Sequence, residues 1–356
     1  MKNTAYVLIS LLLTGLFCTS CQKNKGGDIV PDNFGINLSD AISIPDLDKK
    51  ALILNDTIAS GKDLYQHLRT LIFVGEYSSE LINESLWSIK DYIIDRAMSF
   101  SYISDRDNRT KNVVVREQVS FENETWDYEM TITDEIEGKA FLLYWNMNPL
   151  KVIAFLQPKA MNFQSLVLRR AIIRVNYNDS DPIFDKTMLV MVTGIDSTSV
   201  NFMKKLKMFA GQKGDVVHIY GNTIHPYAYL VDPNYIGGRA WTFRAKNNTK
   251  LDIAVAKVAL PPISLTNDEM PPIWDEYSMD KILEEEIVTV YNDATPSIIE
   301  NYVYTARGVA YFVGPPGFVS NGTDIPQVPG FTPEFIDMTG LEPWAPVDVN
   351  NLTIGF

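Results

Sequence analysis

The scarcest chemistry-bearing side chains in this chain are its three histidines. Two of them, His218 and His225, fall in one stretch, GDVVHIYGNTIHPYAYLVD, with Asp215, Asp232 and three tyrosines. A zinc site needs such donors to converge within about 2.0–2.2 Å of one ion. A hairpin turning near Gly221-Asn222 would set His218 and His225 opposite each other. The spacing matches no known metal pattern and Pro226 restricts the backbone at His225, so structural hydrogen bonding is the competing role. His67, one residue before Leu68 in a helical stripe, reads as a packed side chain. The acidic runs SDRDNRT and NYNDSDPIFD offer oxygen ligands to calcium. Neither follows the EF-hand order, and both read as Asn- and Asp-rich turns. The chain has no G-x-S-x-G elbow, Walker loop, G-x-G-x-x-G or H-E-x-x-H. No cofactor is expected, and the protein reads as a binding protein rather than an enzyme. A carboxylate pair for glycoside hydrolysis would come from distant strands and leave no local spacing.

The two cysteines, Cys18 and Cys21, both precede residue 22, so the rest of the chain holds no disulfide and no thiol for metal or nucleophilic chemistry. A length of 356 residues with 46% hydrophobic content supports a packed core. Against 31 Lys and Arg stand 44 Asp and Glu, and the net charge of −13 excludes nucleic acid as a partner. The apolar stretch Ala5–Phe17 is 13 residues, where a membrane-spanning helix needs about 20. It fits the core of a signal peptide, residues 1–20.

The segment Leu16-Phe17-Cys18-Thr19-Ser20-Cys21 resembles the lipobox of bacterial lipoproteins, with Cys18 where Leu is usual three residues before the cysteine. The resemblance implies lipidation of the Cys21 thiol and cleavage before it. Acyl chains at about 0.8 kcal/mol per buried CH₂ would hold the protein at a membrane. By the sorting rules of that family, Gln22 implies the outer membrane, and a first acid as late as Asp28 implies a periplasm-facing orientation. Asp56-Thr57-Ile58 and Asp196-Ser197-Thr198 resemble O-glycosylation acceptors of periplasm-exporting bacteria.

Residues 21–60 read as a tether with some local structure. From Ser60, a plausible N-cap, apolar residues recur at helical spacing through Leu64, Leu68, Leu71, Leu81, Ile82, Leu86 and Ile89, interrupted at Gly75 and Ser78-Ser79. This predicts one long helix with a weak point, or two in succession. From residue 98 the period becomes two: Trp126, Tyr128, Met130 and Ile132 alternate with polar residues. Further strand-like runs continue to residue 260. Their connections are mostly too short for parallel crossovers, so the sheet should be mainly antiparallel. Phe202, Leu206 and Phe209 suggest a second short helix among the strands. Residues 261–356 are rich in Pro and aromatics and read as an ordered extension, with SMDKILEEEIVTVYN helical and ENYVYTARGVAYFVG strand-like.

The fold class expected is α+β, a large curved antiparallel sheet over residues 61–260 covered by an N-terminal helix. AFLLYWNM and KVIAFLQ are apolar on both faces, so the face away from the helix needs a second sheet, the C-terminal extension or a ligand as cover. By element order this resembles the lipoprotein-carrier group of periplasmic lipid-binding folds. The resemblance implies a non-enzymatic envelope lipoprotein binding an apolar or amphipathic ligand, with Trp126, Trp145 and Trp241 lining the cavity. Two other readings stand beside it. One is an envelope scaffold that docks a partner through its C-terminal region; the other is a glycan-binding protein or hydrolase using exposed tryptophans.

Overall fold

In β-strands side chains alternate between faces, and the alternation in this sequence resolves into a single meander. The structure, a computed structural model, describes residues 29–32, 34–44, 60–163, 168–195, 203–224, 239–269 and 272–356. Cys21, His225, Asp232 and both candidate glycosylation tripeptides lie outside the described residues. Strands β1 (Met98–Ile103), β2 (Thr110–Phe121), β3 (Glu124–Asp134), β4 (Gly138–Met147), β5 (Leu150–Leu156), β6 (Ile172–Asn178) and β7 (Lys186–Thr193) are followed by β8 (Lys205–Lys213), β9 (Val216–Ile224), β10 (Trp241–Asn248), β11 (Ile253–Ala259), β12 (Ala310–Val313) and β13 (Gly317–Asn321). They form one 13-stranded sheet in strict sequence order, β1 through β13. Every neighbouring pair is antiparallel.

Helix α1 (Gly61–Trp87) is one uninterrupted helix of 27 residues, about 40 Å at 1.5 Å per residue. Ser60 and Asp63 close a capping box at its start. It runs through Gly75, where a Cβ would collide with the Met208 side chain of β8. Glycine lets the helix approach the sheet closely. Leu64, Leu68, Leu71, Ile72, Leu81 and Ile82 pack in one core with Val175, Met188, Val190, Leu206, Met208, Ile219, Phe243 and Phe312. The helix thus fills the inner face of the sheet.

Residues 29–32 and 34–44, inside the segment expected to be a tether, form a strap against α1 and the ends of the strands. Phe34, Ile36 and Ile42 are buried. The Trp145 indole N–H donates to the Ile29 carbonyl at 2.7 Å, the Ala41 amide donates to Asp252 at 2.9 Å, and the Leu38 amide donates to Glu76 at 2.7 Å.

The C-terminal region contributes β12 and β13, helices α2 (Ile273–Glu276), α3 (Met279–Val290), α4 (Pro296–Val303), α5 (Pro333–Ile336) and α6 (Pro346–Asn350), and a return path over the outer face. Phe335, Met338 and Leu341 cover Ile253, Val255 and Tyr311. Farther on, Ile354 and Phe356 pack on Leu142, Tyr144, Ile153 and Phe155. The chain's own extension is therefore the cover that the doubly apolar β4 and β5 require. Because this region supplies two strands, deleting residues 261–356 would strip the sheet rather than remove an appendage.

Three local expectations need correction. Lys205–Lys213 is a strand, not part of a second helix: Leu206, Met208 and Ala210 alternate inward and the backbone bonds to strands on both sides. Gly221-Asn222 is not a hairpin turn, because β9 runs straight through to Ile224. A Cβ at Gly221 would lie 2.6 Å from the Lys207 carbonyl oxygen and 2.7 Å from the Phe243 ring, so the glycine serves close packing. The first part of ENYVYTARGVAYFVG is helical, since Thr295 caps α4 and Pro296 opens it.

Candidate functional site

The last turns of α1 carry two different faces. Leu81, Ile82, Leu86 and the following Ile89 are buried, while Glu80, Glu84 and Trp87 share the opposite face at spacings of four and three. Trp87 is 63% exposed, although indoles are normally well buried. The Lys90 ammonium lies 4.5 Å from the centre of its ring, and Lys90 is in turn 3.5 Å from Asp32 of the strap.

Trp87 and Glu84 form the shared wall of two clefts. One, of about 450 Å³, lies toward the strap and the β6–β7 turn, with Asn37, Glu80, Asn83, Tyr177 and Lys186 on its walls. The other, of about 520 Å³, lies toward the β1–β2 turn, with Asp91, Tyr102, Ser104, Asp105 and Arg106. A third depression beside Trp87 holds only about 10 Å³, room for about one water.

The walls are rigid where the fold holds them. Asn83 is committed to the strap, donating to the Phe34 carbonyl at 2.7 Å and accepting from the Phe34 amide at 3.3 Å. Arg106 bonds Glu84 at 3.1 Å and so ties the β1–β2 turn to α1. Partial burial, and then the charge of Glu84, pushes the Glu80 carboxyl above its usual range. Burial, and then Asp179, pushes the Tyr177 hydroxyl up to about 12. Tyr102 is also raised by burial. Both phenols stay neutral at pH 7 and can donate as well as accept. An exposed aromatic plate between walls of carboxylate, amide, hydroxyl and cation suits a polyhydroxylated ring: the plate takes its C–H face and the walls take its hydroxyls.

The three tryptophans expected to line a cavity are fully buried and do not converge. Trp145 and Trp241 belong to the inner core, Trp145 stacked on Tyr128 at 5.2 Å and Trp241 edge-on to His67 at 5.5 Å. Trp126 joins the outer cluster with Tyr144 and Phe155, whereas Met130 and Ile132, with which it is in phase along the strand, belong to the inner core. The ladder is disturbed at this point: Gln118 takes a positive φ of 51° and the Asp127 amide donates to the Asn146 side chain.

His218 stands on the outer face of β9, its ring 5.4 Å from Phe184. Burial, then Lys246 and Lys213, lower its pKa, so it stays neutral among cations that would repel a metal ion. Its expected partner His225 lies outside the described residues. Among the described residues no three His, Cys, Asp or Glu side chains gather as a metal site would require.

Trp87 is the residue that sequence reasoning missed, although a signal was present. It sits one position past Leu86, off the apolar stripe, in phase with Glu80 and Glu84. Comparison with models of known families, with curated proteins and with solved structures finds no match.

Proposed function

We propose that this protein is an envelope lipoprotein, anchored through Cys21, that binds a glycan without turning it over. The observation that carries this reading is the exposed indole of Trp87 between two polar clefts of about 450 and 520 Å³. An apolar ligand on the inner face of the sheet would have to displace α1, whose Leu68, Ile72 and Leu81 are wholly buried there. The lipobox resemblance supplies the membrane, and a site on the protein surface suits polymers too large to enter a core.

The test is calorimetric titration of the soluble portion, starting after Cys21, with peptidoglycan fragments and neutral and acidic oligosaccharides, beside Trp87→Ala. Saccharide binding that falls at least about tenfold in Trp87→Ala is expected, since losing a central aromatic anchor typically costs more than about 1 kcal/mol. Absence of binding across the panel, or equal binding by the variant, overturns the reading. Release of new reducing ends that stops in Glu80→Gln would overturn its non-enzymatic part. Radiolabelled fatty acid incorporated by the full chain but not by Cys21→Ala tests the anchor.

A further inference from the structure

Charge is distributed unevenly along this acidic chain. Strands β6 through β11 contain no Asp or Glu, yet carry Arg174, Lys205, Lys207, Arg244, Lys246 and Lys257 among their cations. Residues 308–356 have the opposite bias, with Asp324, Glu334, Asp337, Glu342 and Asp348 and no Lys or Arg. After β12 and β13, the part of the second segment from Glu334 to Asn350 lies on the first.

The contacts show how the outer face grips it. Lys246 donates to the Glu334 carbonyl at 2.9 Å and Arg244 to the Met338 carbonyl at 3.4 Å, while Lys205 donates to the Asn350 carbonyl. Arg244 also approaches the Glu342 carboxylate at 3.6 Å. Trp344 packs on Tyr220, with the Lys207 ammonium 4.1 Å from its ring centre. Cations of the sheet thus hold backbone carbonyls and carboxylates of an irregular peptide, and an aromatic side chain anchors it.

This cover is incomplete. Next to Lys207 the same face continues over β7 and β6 as two cross-strand rows: Phe209, Leu189 and Asn176 in one, and Lys207, Met191 and Arg174 in the other. All six are only half-buried. Leu189 and Met191 therefore leave apolar surface between Lys207 and Arg174, the latter paired with both Glu122 carboxylate oxygens at 2.6 Å and donating to Asn176 at 2.9 Å. We propose that this strip docks an acidic, aromatic-bearing polypeptide segment of a partner protein, laid beside the chain's own C-terminal segment in the same manner. Charge complementarity and the carbonyl-directed bonding of the neighbouring cations argue for a polypeptide rather than an anionic lipid surface.

The probe is a fluorescein-labelled peptide with the sequence of residues 331–350, together with a version in which its four acids are amides. Anisotropy is measured against the soluble chain, Leu189→Glu, Met191→Glu and the milder Leu189→Asn, each checked for wild-type circular dichroism. The expected result is binding that weakens with salt and with amidation. It should also weaken at least about tenfold in the Glu variants and less in Leu189→Asn. Affinity unchanged by all three substitutions means that the peptide exchanges with the chain's own segment on β8–β12, and overturns the proposal. Absence of peptide binding overturns it too. So does co-sedimentation with phosphatidylglycerol vesicles that the same substitutions abolish while peptide binding stays intact.

Discussion

Replacing Lys111 by Met should be among the most damaging single changes in this protein. Lys111 is entirely buried, and its ammonium bonds Asp107 at 2.8 Å, Asp134 at 2.6 Å and the Ala160 carbonyl at 2.9 Å. It joins the β1–β2 turn, the β3–β4 turn and the loop after β5. Asp134 is as deeply buried and also accepts from the Ile136 and Glu137 amides. Lys111→Met leaves that carboxylate without its main counter-charge, with Arg109 no nearer than 3.6 Å. Breaking a buried pair from one side costs about 3–5 kcal/mol, a fall in Tm of roughly 4–7 °C for a chain of this size. The double variant Lys111→Met/Asp134→Leu should recover part of the loss, because it removes the desolvation penalty of Asp134 together with the attraction, while Asp107 stays without Lys111.

The same cluster sets an acid limit. Burial alone would raise both aspartates, but the Lys111 hydrogen bond and backbone amides outweigh it and hold Asp107 and Asp134 below 3.8. A depressed carboxylate contributes stability that is complete above the unfolded pKa of about 3.9 and is lost as pH falls through the lower folded value. Wild type should therefore lose stability steeply below about pH 4, and the double variant less steeply. Urea unfolding followed by circular dichroism across pH 3–7 measures both effects. A single-variant cost below about 1 kcal/mol, the level of an exposed pair, or a double variant no better than the single, would refute this account.

Other predictions concern packing and the strap. Gly221→Ala should cost roughly 1–3 kcal/mol, because the new methyl meets a backbone carbonyl and a core ring; Gly75→Ala should cost less, since it meets only the flexible end of Met208. Thermal melts that rank the two the other way would contradict the packing described. Glu76 is raised by burial, against the hydrogen bonds from Ser43 and the Leu38 amide. Its charged form therefore weakens the fold at neutral pH, and the strap should tighten as pH falls toward its raised pKa. Hydrogen exchange of the Leu38 amide that slows with falling pH beyond the intrinsic rate change in wild type, but not in Glu76→Gln, is the expected result.

Local patterns carry local information, and that part was legible. Ser60 and the stripe through Leu64, Leu68 and Leu81 declared α1, and alternation with short turns declared an antiparallel sheet. Residues 202–210 misled because Phe202, Leu206 and Phe209 fit a helix while Leu206, Met208 and Ala210 fit a strand. Only the neighbours β7 and β9, offering backbone partners on both sides, decide between the two periods. Trp126, Trp145 and Trp241 looked alike as apolar strand residues, yet they divide between the outer and inner clusters. That division depends on where the ladder is interrupted and on which distant segment arrives to cover each face. The site around Trp87 was half visible, as three residues in phase on a polar helix face. Its clefts exist because residues 34–37, the β6–β7 turn and the β1–β2 turn converge on that helix end from far along the chain. Sequence determined the elements, since period and capping are properties of neighbouring residues. Tertiary structure alone decided which surfaces stayed open, since exposure is what remains after every distant segment has packed.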